Sequence, residues 1–184
     1  HAKLIEVVTR RLSKRYGYDP IQDIQVLTPM NRGGLGARSL NIALQAELNG
    51  HATPKVERFG SVYAPGDKVI QMRNNYDKDV FNGDIGLQLP DPVSGILMTY
   101  FVDGSGKLVK LFNQRLPAHE MVYAMTVHKS QGSEFDHTVL LMPGEETGNK
   151  LLSRELVYTA ITRAKKRFTI FGDKRQILNS VGQH

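Results

Sequence analysis

The sequence predicts an α/β fold interrupted by a small antiparallel β domain, and three observations predict it. Helix, strand, glycine turn and helix follow one another through residues 1–50. Short runs divided by close turn signals fill residues 60–115. Strand and helix then alternate again to the end of the chain.

Leu4, Val7, Val8 and Leu12 recur close to a helical period, and Gly17 and Pro20 stop that helix. "DIQVLTPM" reads as a short strand of the buried kind, "NRGGLG" turns the chain, and Leu40, Leu44 and Leu48 mark an amphipathic helix with a glycine stop at Gly50. In the middle, "APGD", "NGD", "PDPVSG" and "DGSG" separate the runs "KVIQM", "DIGLQL", "ILMTYFV" and "KLVKLF", the pattern of a small antiparallel barrel or sheet. The α/β pattern resumes with strand "MVYAMTV", a polar loop, strand "HTVLLMP", helix "SRELVYTAITRA", strand "RFTIFG" and a final helix from Asp173. Ser153 suits the cap of that helix, with Glu155 near the positive end of its dipole. Two α/β segments around an insertion are expected to share one sheet, which gives residues 1–59 with 116–184 as one discontinuous domain and 60–115 as the insertion.

The 184 residues, 40% of them hydrophobic, suffice for a real core. With no cysteine, disulfide scaffolds and cysteine-based zinc sites are excluded, and the composition suits a reducing cytosol. No run approaches the roughly 20 apolar residues of a membrane-spanning helix, and the start lacks the layout of a signal peptide, so a soluble, cytoplasmic chain is expected, with no membrane partner. The net charge of +6 favours polyanions such as nucleic acid or nucleotide phosphates. Because the chain opens on His1 rather than Met, it reads as part of a longer protein.

The polar loop "TVHKSQGSEF", residues 126–135, breaks off an apolar run. A hydrolytic triad of His128, Ser130 and Glu134 is disfavoured, since the G-x-S-x-G elbow is missing and neighbours in one short loop point apart. The six histidines show no metal-binding spacing, so no metal site is expected. Two readings remain, a solvated loop or a set of groups for a polar, anionic ligand. In the second, Thr126, His128, Lys129, Ser130 and Gln131 donate to phosphate oxygens, Gly132 admits close backbone approach, and Glu134 accepts from a ribose hydroxyl. The glycine turn "NRGGLGAR" matches neither Walker A nor G-x-G-x-x-G; it is either a plain turn or a site from which Arg32 or Arg38 reaches a phosphate. In "YTAITRAKKR", Lys165, Lys166 and Arg167 suit the negative end of a helix dipole, whereas Arg163 follows the apolar positions Leu156, Val157, Ala160 and Ile161 and should emerge at the edge of a packed face.

Together these stretches resemble a known family. "AMTVHKSQGSEFDHTVLLMP" resembles motif V and "RELVYTAITRAKKRF" motif VI of superfamily 1 DNA helicases, in the RecD branch that includes the alpha chain of exodeoxyribonuclease V. "VLTPMNRGGLGARSLN" is similar to that branch's motif IV region, and "FNGDIG" to its inserted SH3-like barrel. The resemblance implies a second RecA-like motor domain with an SH3-like insertion, in an ATP-dependent 5′-to-3′ helicase of double-strand break repair and recombination. It implies Arg163 as arginine finger, Gln131, Gly132 and Glu134 at the nucleotide with Glu134 on the ribose, and an arginine from motif IV, Arg32 or Arg38, at the γ-phosphate. Thr126 and His128, with Lys129 and Ser130 beside them, would face single-stranded DNA. ATP and Mg2+ would be held mainly by the protein's own N-terminal RecA-like domain, and the other exodeoxyribonuclease V subunits are implied as possible partners. Neither a Walker A loop nor an acidic magnesium motif occurs in these residues, so the chain alone is expected not to hydrolyse ATP. Two alternatives are the helicase half of a conjugative relaxase and a non-catalytic docking module; the second predicts lost motif residues, whereas Gln131, Gly132, Glu134 and Arg163 are all in place.

Overall fold

The structure, a computed structural model, describes residues 2–58, 60–102, 108–111, 119–142 and 154–172. The expected helix from Asp173, the cap at Ser153 and the turn "DGSG" lie outside the described residues. The chain divides into two compact units, residues 1–48 with 123–184 and residues 49–122.

The first unit opens with a helix that runs from α1 (Ala2–Glu6) through a π-helical segment (Val7–Arg11) into α2 (Leu12–Tyr16). Strand β1 (Ile24–Thr28) follows, then α3 (Ala37–Asn49). After the second unit the chain returns through β9 (Ala124–Thr126), β10 (Phe135–Leu141), α4 (Arg154–Ile161) and β11 (Ala164–Phe171). The four strands form one parallel sheet in the order β11-β10-β1-β9. A central strand of a parallel sheet is covered on both faces, which is why all five residues of β1 are buried, Gln25 and Thr28 included. Leu40 and Leu44 of α3 and Leu156, Val157 and Ala160 of α4 supply buried apolar surface in this unit.

The second unit holds a hairpin, β2 (Val56–Arg58) with β3 (Ser61–Tyr63), and a five-stranded antiparallel sheet. That sheet contains β4 (Lys68–Gln71), β5 (Ile85–Pro90), β6 (Leu97–Val102), β7 (Leu108–Leu111) and β8 (His119–Met121) in the order β7-β6-β5-β4-β8. Tyr63, Val69 and Leu97 form its buried cluster, with Val56 and Met121 packed against it.

Three boundaries differ from expectation. The run "MVYAMTV" is not one strand: Met121 ends β8, paired with β4, and Ala124 begins β9, paired with β1. Continuous apolar character announces burial but not which sheet does the burying. For the same reason the second unit extends beyond 60–115 on both sides, since β2 and β8 pair within it. Finally, α4 stops at Ile161 and β11 starts at Ala164, so Lys165, Lys166 and Arg167 lie in a strand rather than at a helix end. They are exposed on an outer strand of the described sheet, with Lys166 beside Asp136 and the Arg167 guanidinium over the Tyr16 ring at 3.5 Å.

Candidate functional site

Register fixes where the candidate residues stand. Thr28 pairs with Thr126 at the carboxyl ends of β1 and β9, while Ala164 pairs with Phe135 at the amino ends of β11 and β10. Leu27 pairs with Leu140, so the level of Thr28 lies six residues beyond Phe135, about 20 Å along the strands. Residues 126–135 run from one edge of the sheet to the other.

At the carboxyl edge the loop is wound by its own backbone. The Val127 N–H donates to Thr28 O (3.0 Å), Ser130 N–H to Thr126 O and Val127 O (both 3.2 Å), and Gln131 N–H to His128 O (3.2 Å). The Lys129 N–H donates to Thr126 Oγ1 (3.2 Å). The winding leaves His128, Gln131, Gly132 and Glu134 exposed, with Thr126 and Lys129 half-buried. Gly132 has φ +83 and nothing within 4 Å of the position a Cβ would take, so only its backbone conformation calls for glycine. Ser130 departs from expectation: it is fully buried and its hydroxyl donates inward to Val127 O at 2.6 Å, which ties the turn and leaves no group for DNA.

The glycine turn stands at the same edge. Arg32 and Arg38 are both exposed. The first amides of α3 are already engaged, Ala37 N–H with Met30 O (3.0 Å) and Arg38 N–H with Asn31 O (3.4 Å), so they offer no anion cradle. Thr28 Oγ1 donates to Leu35 O (2.9 Å), and Gly36 packs so tightly that a Cβ would lie 2.5 Å from Arg32 O. These contacts describe a tightly closed turn.

Arg163 stands at the opposite edge. Its backbone carbonyl accepts from Phe135 N–H (2.8 Å), its Nη1 donates to Ser133 O (3.3 Å) and its Nη2 to Thr162 Oγ1 (3.0 Å), while Nε is buried without an acceptor. Arg163 and Glu134 are thus neighbours through Ser133 and Phe135. Arg32 and Arg38 follow the carboxyl end of β1, whereas Arg163 precedes the amino end of β11, so they lie beyond opposite ends of the strands.

Two further buried or half-buried polar side chains belong to this unit, and only the first touches a strand that leads into the site. Asn41 of α3 donates from Nδ2 to Ala124 O (2.9 Å) and accepts from Ala124 N–H at Oδ1 (2.8 Å), fastening the outer side of β9 to the helix. His137 is buried beneath Tyr18, ring centroids 5.3 Å apart, with Nε2 3.2 Å from Thr169 Oγ1 and Nδ1 unpaired. Burial, and secondarily the charge of Arg167, lower its pKa. Among the described residues no group of three His, Cys, Asp or Glu side chains could hold a metal ion, and no helix is long and apolar enough to cross a membrane.

This fold, four parallel strands carrying a β-rich insertion, recurs in solved helicase structures. The Pif1 helicase of Candida albicans matches with a TM-score of 0.62 and 13% identity over all of this chain and 51% of its own. A Bacteroides Pif1 helicase in complex with ADP-AlF3 and ssDNA matches at 0.56 and 12% over 96% of this chain and 47% of its own. The fold is that of a superfamily 1, RecA-like helicase motor domain with an SH3-like insertion.

Family models sharpen the class: residues 40–91 match the SH3 domain of ATP-dependent RecD-like DNA helicases, and residues 121–170 the UvrD-like helicase C-terminal domain. The ATP-dependent RecD2 DNA helicase of Deinococcus radiodurans is 40% identical over 79% of this chain, and the RecBCD enzyme subunit RecD of Haemophilus influenzae 35% over 83%. The chain belongs to the RecD-like family of superfamily 1 helicases. It spans about a fifth of the length of those two relatives, 19% and 22%.

Proposed function

We propose that this chain is the second motor domain, with its SH3-like insertion, of an ATP-dependent 5′-to-3′ DNA helicase acting in double-strand break repair and recombination in the cytoplasm. The observation that carries the reading is the two-edged course of residues 126–135. Thr126, His128 and Lys129 stand at one edge and Glu134, beside Arg163, at the other. One short segment thereby spans two candidate ligand faces.

At the amino edge, Arg163 meets the γ-phosphate of ATP held mainly by another RecA-like domain and stabilises charge on the transferring phosphoryl group. Glu134, next to Arg163 in that arrangement, serves the ribose, and Gln131 and Gly132, in the turn that continues from His128, serve the nucleotide from the stretch between the two edges. Mg2+ is held with ATP mainly by that other domain in this reading, and the segment alone is expected to turn over no ATP. At the carboxyl edge, Thr126, His128 and Lys129 meet single-stranded DNA through its phosphates. The exposed Arg32 and Arg38 stand on that side, and the same DNA backbone is their counterpart. Further subunits of an exodeoxyribonuclease V complex are proposed partners.

In the complete helicase, Arg163→Ala should lower ssDNA-stimulated ATP turnover by about a thousandfold or more while retaining ssDNA affinity. Turnover close to that of the parent refutes the assignment.

A further inference from the structure

We propose that Thr162 is a positioning residue for the Arg163 guanidinium, an inference that rests on Arg163 being the group that meets the transferring phosphoryl. The Thr162 hydroxyl has one proton, and it is committed to Thr159 O at 2.7 Å on the last turn of α4. A lone pair is left, and it accepts from Arg163 Nη2 at 3.0 Å. Thr159 is itself tied back, its hydroxyl donating to Glu155 O at 2.9 Å. The guanidinium therefore hangs from an acceptor whose position is set by the helix, and not from a freely turning hydroxyl.

The chemistry of the acceptors matters as much as their position. Among the described residues no carboxylate forms an ion pair with Arg163; its acceptors are a backbone carbonyl, Ser133 O, and a neutral hydroxyl. Such acceptors orient the planar fork without neutralising it, and both are weaker than a phosphate oxygen. The buried Nε has no partner in this arrangement, a cost that another geometry around an anion can relieve. Arg163 is thus aimed and left charged, at a cost in side-chain freedom met before the ligand arrives.

The test compares Thr162→Val, which keeps the shape and removes the acceptor, with Thr162→Ser, which keeps the acceptor and removes the methyl group. Thr162 is exposed, so neither change opens a cavity. Steady-state ATP turnover is measured in the complete helicase with saturating single-stranded DNA. Thr162→Val should lower kcat about tenfold or more, with KM for ATP within about twofold of the parent, and Thr162→Ser should stay within about twofold on both. Parental kcat in Thr162→Val, or a loss in Thr162→Ser as large as in Thr162→Val, overturns the proposal. Arg163→Ala in the same assay separates the two levels of argument: if it is silent, the reading of Arg163 itself fails. If Arg163→Ala removes turnover while Thr162→Val does not, only the positioning role is lost.

Discussion

Removing the Asn41 amide should unfasten the strand that leads into the candidate DNA face. Asn41→Ala deletes two hydrogen bonds to Ala124, each contributing about 1 kcal/mol net. Ala124 is 1% exposed, so its N–H and C=O gain little water in exchange, and each unsatisfied group costs about 1–3 kcal/mol. Alanine's better helix propensity returns roughly 0.5 kcal/mol. The expected loss is about 2–4 kcal/mol, which for a chain of this size lowers the melting temperature by about 4–16 °C, read by circular dichroism at 222 nm on heating. Asn41→Asp is the sharper control: it keeps an acceptor for the Ala124 N–H but turns a carboxylate oxygen toward the Ala124 carbonyl, so it should be no better than alanine. A melting temperature within about 2 °C of the parent for Asn41→Ala, or parental stability in Asn41→Asp, would refute the claim that this amide holds β9.

Because burial lowers the His137 pKa, the unfolded chain binds more protons than the folded one below about pH 6.5. Stability should be full above that pH and fall as the medium is acidified, and denaturant titrations of His137→Phe should show a flatter slope between pH 7 and 5. Gly132→Ala meets no steric obstacle at its Cβ, so its cost should be the left-handed backbone alone, about 1–2 kcal/mol, with Gly132→Asn losing less in the same chemical melt. Ser130→Ala should lower stability by about 1 kcal/mol while leaving the salt dependence of ssDNA binding unchanged, whereas loss of a phosphate contact would shift that slope by about 1.

What the sequence disclosed follows from how local each cause is. Strand β1, helix α3 and strands β4 to β7 were legible because period, glycine stops and Asn-Gly turns act within a few residues. Arg163 was legible as a side chain leaving a packed face. Ser130 was not, since a hydroxyl reads the same whether it donates to a phosphate or to the carbonyl three residues back. The split between Met121 and Ala124 was hidden because pairing partners some fifty to a hundred residues away decide it. Lys165, Lys166 and Arg167 read as a helix end because their charges suit a dipole. They suit an outer strand equally well, where exposed cations blunt pairing with other chains.

The loop between β9 and β10 has little spare length. From Thr126 to Ser133 it is wound in hydrogen-bonded turns, which advance about 1.5–2 Å per residue, so those seven steps cover roughly 10–14 Å. Two extended steps to Phe135 add about 7 Å, and the sum of about 17–21 Å is close to the roughly 22 Å set by the difference in level of about 20 Å and the two strand spacings, about 10 Å, between β9 and β10. A connection so taut behaves as a tie rod rather than a slack thread. Shortening it by one residue would have to unwind the turn under His128 or pull Ser133 away from Arg163. Its length is therefore as much a part of the site as any side chain it carries.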